Sequence, residues 1–273
     1  MREMSVAGSF YPNDKDEILR HIKHFNDTYA QKSNLPDIKT RVVIVPHAGY
    51  IYSGYTANIA YRLLKKSGIK KYLVIGPSHR VDFNGISMCA DDKYATPFGE
   101  IQNEQEMREN LNKSFGLHKL IPHQEHSTEV QFPFLKHYIP DVKIVELIYG
   151  RVSSDEIMVL IDFVLEKEDW GVVISSDLSH FHNQEIANSL DMICAKAIEN
   201  LDLDELRSGC EACGILGIEA AVKSAISLNL HSTVLDYRTS ADATEDDKRV
   251  VGYISACFNQ SKMTLSNKKT PQV

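Results

Sequence analysis

The sequence predicts an α/β fold, a single domain with a central, mostly parallel sheet flanked by helices. Short β-branched runs alternate with helical periodicities nearly throughout the 273 residues. Three of these runs, RVVIVPH at 41–47, YLVIGPSH at 72–79 and GVVISSDLSHFH at 171–182, turn abruptly from apolar to polar, and each delivers a histidine. A helix links the first two runs, and a strand, helix, strand crossover makes its strands parallel. Their carboxyl ends, with His47 and His79, therefore share one edge of the sheet, where α/β proteins place their sites.

Along the chain, VAGSFYP at 6–12 reads as a short extended segment, and Asn13 or Asp14 caps a helix with Ile18, Leu19, Ile22, Phe25 and Tyr29 at helical spacing. His21 and His24 on that helix read as surface residues. After the strand at 41–45, HAGYIYSG reads as a loop before a helix through Ile59, Ala60, Leu63 and Leu64 that Gly68 stops. Residues 86–90 suggest a weak strand and 104–114 a polar helix. The stretch from Ile121 reads as a loop carrying His123 and His126 into a helix with Val130, Phe134 and Leu135 inward, bent at Pro133. A strand at 142–149 and a helix capped by Ser153 precede the third histidine-bearing strand. Ile186, Leu190, Ile193 and Ala197 mark the next helix, with Cys194 in its packing. Asp202 or Asp204 starts a short helix, CEACG opens an apolar one, and strands at 231–237 and 250–258 end the domain. Residues 259–273 read as a polar tail, which puts the domain at 1–258.

The formal charge of −7 argues against nucleic acid as a partner. No stretch approaches the ~20 apolar residues of a membrane helix and the N-terminus lacks a signal-peptide pattern, so a cytoplasmic protein is expected. Five cysteines are an odd, scattered set, unlike a disulfide framework, which fits a reducing compartment.

Imidazole is the commonest metal ligand. His47 and His79 each read singly as a hydrogen-bonded residue in a Pro-flanked turn, and as a topologically matched pair they read as metal ligands. Asp177 and His180 lie three apart; if the loop turns helically they point the same way, and the carboxylate can orient the imidazole for acid/base work or ligation. A capping Asp beside a surface His is the alternative, and His182 reads as exposed. Cys213, near a helix N-terminus, is a candidate ligand or nucleophile with its thiolate favoured by the helix dipole. Cys210 and Cys213 form a lone CxxC, a weak signal. Glu125, His126 and Glu129 can add a base or a supporting partner. The chain matches neither GxSxG nor GxxxxGK[ST], which leaves serine-hydrolase and nucleotide-binding readings unsupported.

Taken together, VAGSFYP, VPHAGYIYSG, GPSH, EHSTEVQ, SSDLSHF, the Cys213–Gly214 pair and RVVGY at 249–253 resemble the Memo family, relatives of the LigB-type class III extradiol dioxygenases. The resemblance runs in order over nearly the whole chain. It departs from the family pattern at MSVAG, which lacks a proline, and at SADATED, which lacks glycines. It implies a pocket in which His47, His79 and Cys213 hold a metal while His180, Asp177 and His126 line it. In the dioxygenases two histidines and a carboxylate hold ferrous iron, and another histidine serves as acid/base, a role that His180 would inherit. Cys213 stands in place of the carboxylate, and the softer thiolate favours iron, copper(I) or zinc. Bacterial and archaeal members often accompany a radical-SAM protein, which implies a pathway partner. The functions left open are a redox metalloenzyme, a metal carrier or sensor, and a module binding a small molecule or peptide.

Overall fold

A computed structural model of the chain describes residues 1–260. In chain order its elements are α1 (Lys15–Lys32), β1 (Val42–Val45), α2 (Tyr50–Ser67), β2 (Lys71–Pro77), β3 (Ile86–Met88), β4 (Lys93–Tyr94), β5 (Ile101–Asn103), α3 (Gln105–Phe115), α4 (His126–Glu129) and α5 (Gln131–Tyr138). They continue with β6 (Lys143–Tyr149), α6 (Ser154–Leu165), β7 (Trp170–Ser175), β8 (His180–His182), α7 (Gln184–Asn200), α8 (Leu203–Gly209), α9 (Ile215–Ser227), β9 (His231–Thr239), α10 (Ala241–Thr244) and β10 (Val250–Asn259). From residue 261 the expected polar tail lies outside the described residues.

The sheet runs β4-β5-β6-β2-β7-β1-β10-β8, with β3 added to β6 and β9 to β10. Strands β5, β6, β2, β7 and β1 are mutually parallel, and β10 closes one side antiparallel to β1. This is the α/β fold that the alternation predicts. Side chains leave alternate faces of a strand, so each central strand feeds two cores. Val42, Ile44, Leu73, Ile75, Val172 and Ile174 pack on the side of α6, α7 and α9. Val43, Val45, Tyr72, Val74 and Val173 pack on the side of α1, α2 and α5. Burial on both faces explains why these runs are continuously apolar instead of alternating.

Strand β7 lies between β1 and β2, so the three histidine-delivering runs are neighbours. The register pairs Val45 with Ser175, which carries His47 and Asp177 side by side past the strand ends. Helix α1 starts at the Asp14 cap, whose side chain accepts the Glu17 N–H. Ser153 and Glu156 make a capping box on α6.

Several elements differ from the sequence expectation. HAGYIYSG is not all loop, because α2 begins at Tyr50. Propensity there is indifferent, but the buried Tyr50 ring stacks on Phe134 with 4.4 Å between centroids and its hydroxyl donates to the Val130 carbonyl. The helix expected around Pro133 is two helices, α4 and α5, meeting at Val130, since proline has no N–H to return to Glu129. On α7 the buried face is Ala187, Asp191, Cys194, Ala197 and Ile198, and Ile186 stays exposed. Cys194 does more than pack: it forms a disulfide with Cys210 at the end of α8, contrary to the reducing compartment expected from an odd, scattered set of cysteines, and Cys89, Cys213 and Cys257 are free.

Gly76 sets how closely α4 approaches the sheet. A Cβ there would stand 2.8 Å from Ser127 Oγ and 3.0 Å from Thr128 Cγ2. Gly76→Ala must push α4, and His126 with it, away from β2, at an expected cost of about 1–3 kcal/mol in chemical denaturation. Unchanged stability would mean that α4 yields freely.

Candidate metal centre

Every group at the site enters from the carboxyl end of the parallel strands. His47 follows β1, His79 follows β2, Asp177 follows β7, His126 opens α4 beneath β2, and Cys213 precedes α9. His47 is buried, His126 is half-buried and His79 is exposed at the mouth, and their ring nitrogens all lie within 4.8 Å of one another. His47 Nε2 is 3.3 Å from His79 Nε2 and 3.3 Å from Cys213 Sγ. The structure thus brings Cys213 into contact with a histidine 166 residues away. Cys210, held by its disulfide, is not among these donors.

The tautomer of His47 follows from its neighbours. Ser175 Oγ donates to the Ser127 carbonyl and accepts from Gln131 Nε2, whose other hydrogen goes to the Pro46 carbonyl. The serine proton is therefore spent, and His47 Nδ1, 2.9 Å away, must be the donor. That leaves a lone pair on Nε2, aimed at His79 and Cys213. Such anchoring of the outer nitrogen is how metal-bound histidines are oriented.

Burial and the neighbouring His79 and His180 hold the His47 pKa well below that of free imidazole, and burial also lowers that of His79. Burial with His47 and His79 brings His126 down to about 3. The three rings are therefore neutral at neutral pH, the form that ligates. Burial, then Asp177, pushes the Cys213 thiol up to about 12, which overrides the thiolate-favouring dipole expected from sequence. Cys213 stands one residue before the Gly214 cap, and the N–H that reaches its sulfur at 3.3 Å is that of Asp177. Ligation must therefore displace a proton from the thiol.

Asp177 does not hold the ring of His180. The loop does not turn helically; residues 180–182 extend into β8 against β10. The Asp177 carboxylate instead accepts the His47 backbone N–H at 2.7 Å, and His180 Nδ1 lies 2.7 Å from the Leu178 carbonyl, to which it donates. That contact engages Nδ1 and not Nε2. His182 pairs with Glu211 at 2.8 Å, away from these contacts.

Local pattern missed Ser175, Gln131 and Phe10, whereas Glu129 is the supporting partner that it offers. Ser175 and Gln131 lock His47; a glutamine inside the apolar stretch VQFPFL was the available sign of a buried amide. Phe10 lays its ring 4.6 Å from that of His126. Glu129 ties down the N-terminal arm, accepting from Arg2 Nη1, the Ser5 and Val6 N–H groups and the Tyr11 hydroxyl.

The fit to a metal is metric. Two nitrogens about 2.0–2.1 Å from one tetrahedral ion lie about 3.3 Å apart, and a sulfur at about 2.3 Å lies about 3.5 Å from each. The 3.3 Å between His47 and His79 matches the first value and the 3.3 Å between His47 and Cys213 comes close to the second, while the donors that all lie within 4.8 Å of one another are those of His47, His79 and His126, without Cys213. A second gathering, Cys89, His123 and Glu146, does not fit. His123 Nδ1 is bonded to Glu146, and its Nε2 must accept from Ser87, whose oxygen already takes the Leu120 and Ile121 N–H groups. Arg2 and Thr128 occupy the remaining positions of Glu146, and burial pushes the Cys89 thiol up to about 12.

Among the described residues no helix is long and apolar enough to cross a membrane. Comparison with known proteins agrees with the motifs. The family model described as Memo-like protein matches residues 2–257. A MEMO1 family protein of Aquifex aeolicus is 35% identical over 94% of this chain and 99% of its own length. One from Methanobrevibacter smithii is 34% identical with the same coverage, and one from Thermoplasma acidophilum is 33% identical over 93% of this chain and 97% of its own. With the match running from the buried Arg2 to the last strand and spanning every residue of the histidine cup, the chain belongs to the Memo-like family.

Proposed function

We propose that this protein holds a reduced iron or copper ion with His47, His79 and Cys213, and that it is a redox enzyme acting on a small molecule or peptide at the mouth of the pocket. The observation that supports this most is the spacing of the His47 and His79 Nε2 atoms, 3.3 Å apart with His47 fixed in the ligating tautomer. His126 lies with His47 and His79 in the group of donors within 4.8 Å of one another and is a further ligand within reach. Two neutral imidazoles and a thiolate suit borderline and soft cations, so iron and copper(I) rank ahead of magnesium or calcium, and zinc is a substitute. A bound ion would supply electron transfer and Lewis acidity.

The remaining roles belong to the chain itself. His180 lies three residues beyond Asp177, in strand β8, which follows the site loop. With Nδ1 committed to Leu178, its Nε2 takes or returns a proton on substrate. Asp177 fixes the backbone at His47, and Phe10 closes one side against bulk water. The protein would act in the cytoplasm, in a pathway shared with a radical-SAM protein.

The test is metal analysis of anaerobically purified protein, followed by oxygen-consumption screens with catechols and small reductants. Cys213→Ser is expected to lose at least about tenfold in affinity for ferrous iron or copper(I). His180→Ala is expected to keep metal and lose about 10²–10⁴-fold in turnover. Equal metal affinity in Cys213→Ser would remove the cysteine from the ligand set. Normal metal binding with no turnover above free metal would favour a carrier.

A further inference from the structure

We infer that Glu125 is a positioning residue of this centre, one carboxylate that fixes the backbone at His79 and dictates the tautomer of His126. The inference rests on the metal reading above. Oxygen Oε1 of Glu125 accepts the backbone N–H groups of His79 at 2.9 Å and Arg80 at 2.6 Å, with the Ser78 hydroxyl at 3.0 Å. These donors pin the carboxylate and hold the turn that presents His79. The residue is 1% exposed, and its other oxygen, Oε2, is buried without a hydrogen-bond partner among the described residues. A buried carboxylate oxygen left unpaired is costly, so its surroundings indicate what satisfies it. The nearest ring nitrogen is His126 Nδ1, at 3.9 Å.

The gap is about one ångström longer than a hydrogen bond. A small turn of the His126 ring, which stacks on His79 with 4.9 Å between centroids, closes it. A carboxylate oxygen only accepts, so the contact requires the proton on Nδ1. Nε2 is then the lone pair left for an ion at the His47–His79 pair. Glu125 thus does for His126 what Ser175 does for His47.

Glu125→Gln tests this with one atom exchanged. The N–H donors at Oε1 demand the amide oxygen, which forces the amide NH₂ into the place of Oε2. There it donates to Nδ1 and moves the His126 proton to Nε2. Long-range ¹H–¹⁵N spectra of the metal-free protein read the tautomer directly, and cobalt(II) titration reads affinity. The expected results are Nδ1–H in the parent, Nε2–H in Glu125→Gln, and a loss of about tenfold in cobalt affinity. Ser78→Ala, which leaves Oε2 untouched, is expected to keep the parent tautomer. An Nε2–H tautomer in the parent overturns the inference whether or not the variant folds, as does a Glu125→Gln variant with the parent tautomer and affinity. If the parent binds no cobalt while the tautomer inverts as expected, the metal reading fails and the role of Glu125 stands.

Discussion

Arg2→Ala is expected to cost about 3–5 kcal/mol in chemical denaturation at neutral pH, the range for removing one partner of a buried ion pair. The Arg2 guanidinium is 2% exposed, 2.8 Å from Glu129 and 3.2 Å from Glu146, whose side chains are fully buried. It also donates to the Glu125 carbonyl at 3.1 Å and lies over the Phe132 ring. Its removal leaves two carboxylates facing each other in the core. The pH dependence gives a second check. Burial raises the carboxyl of Glu146, but Arg2 and His123, with hydrogen bonds from His123 and Thr128, outweigh burial and bring it down to about 2. A carboxylate with a lowered folded pKa stabilises fully above its unfolded value, near 4.5, and loses that contribution as pH falls toward 2. The gap between parent and variant should therefore narrow over that interval. A variant within 1 kcal/mol of the parent at neutral pH, or a gap independent of pH, contradicts the pairing. Because Glu129 also ends α4, a variant that still folds should hold His126 less firmly.

His47→Ala is expected to abolish stoichiometric metal binding, with affinity falling at least about a hundredfold. His47 contacts both His79 and Cys213 through the same nitrogen, and Ser175 locks its tautomer. The loss should exceed that in Asp177→Asn, which keeps an acceptor for the His47 N–H. Isothermal titration of both variants with one cation orders them. Equal affinities would place the ion elsewhere.

The sheet and its site-bearing edge were legible because each parallel strand is a short β-branched run ended by a histidine-bearing turn, a pattern local to about ten residues. Pairings that depend on distant segments were not. The three-residue spacing pairs Asp177 with His180 only if the loop turns helically. Instead β8 is drawn out by pairing with β10, some 70 residues later, and the parallel register at Val45 and Ser175 gives Asp177 to His47. Periodicity placed Cys194 inward on α7 without showing that the end of α8 brings Cys210 to it. Cys213 could be joined to the histidines only through the family resemblance, since the contact spans most of the chain. Glu125 and Glu129 look like ordinary polar residues at a helix start, and their burial follows from an N-terminal arm that folds back over α4.

The most direct test is X-ray absorption spectroscopy on protein loaded anaerobically with ferrous iron or copper(I), whichever the purified protein retains. The prediction is one ion per chain, with two or more imidazole nitrogens at about 2.0–2.1 Å and one sulfur near 2.3 Å that vanishes in Cys213→Ser. An ion whose coordination contains no sulfur and survives unchanged in His47→Ala would contradict the proposed centre.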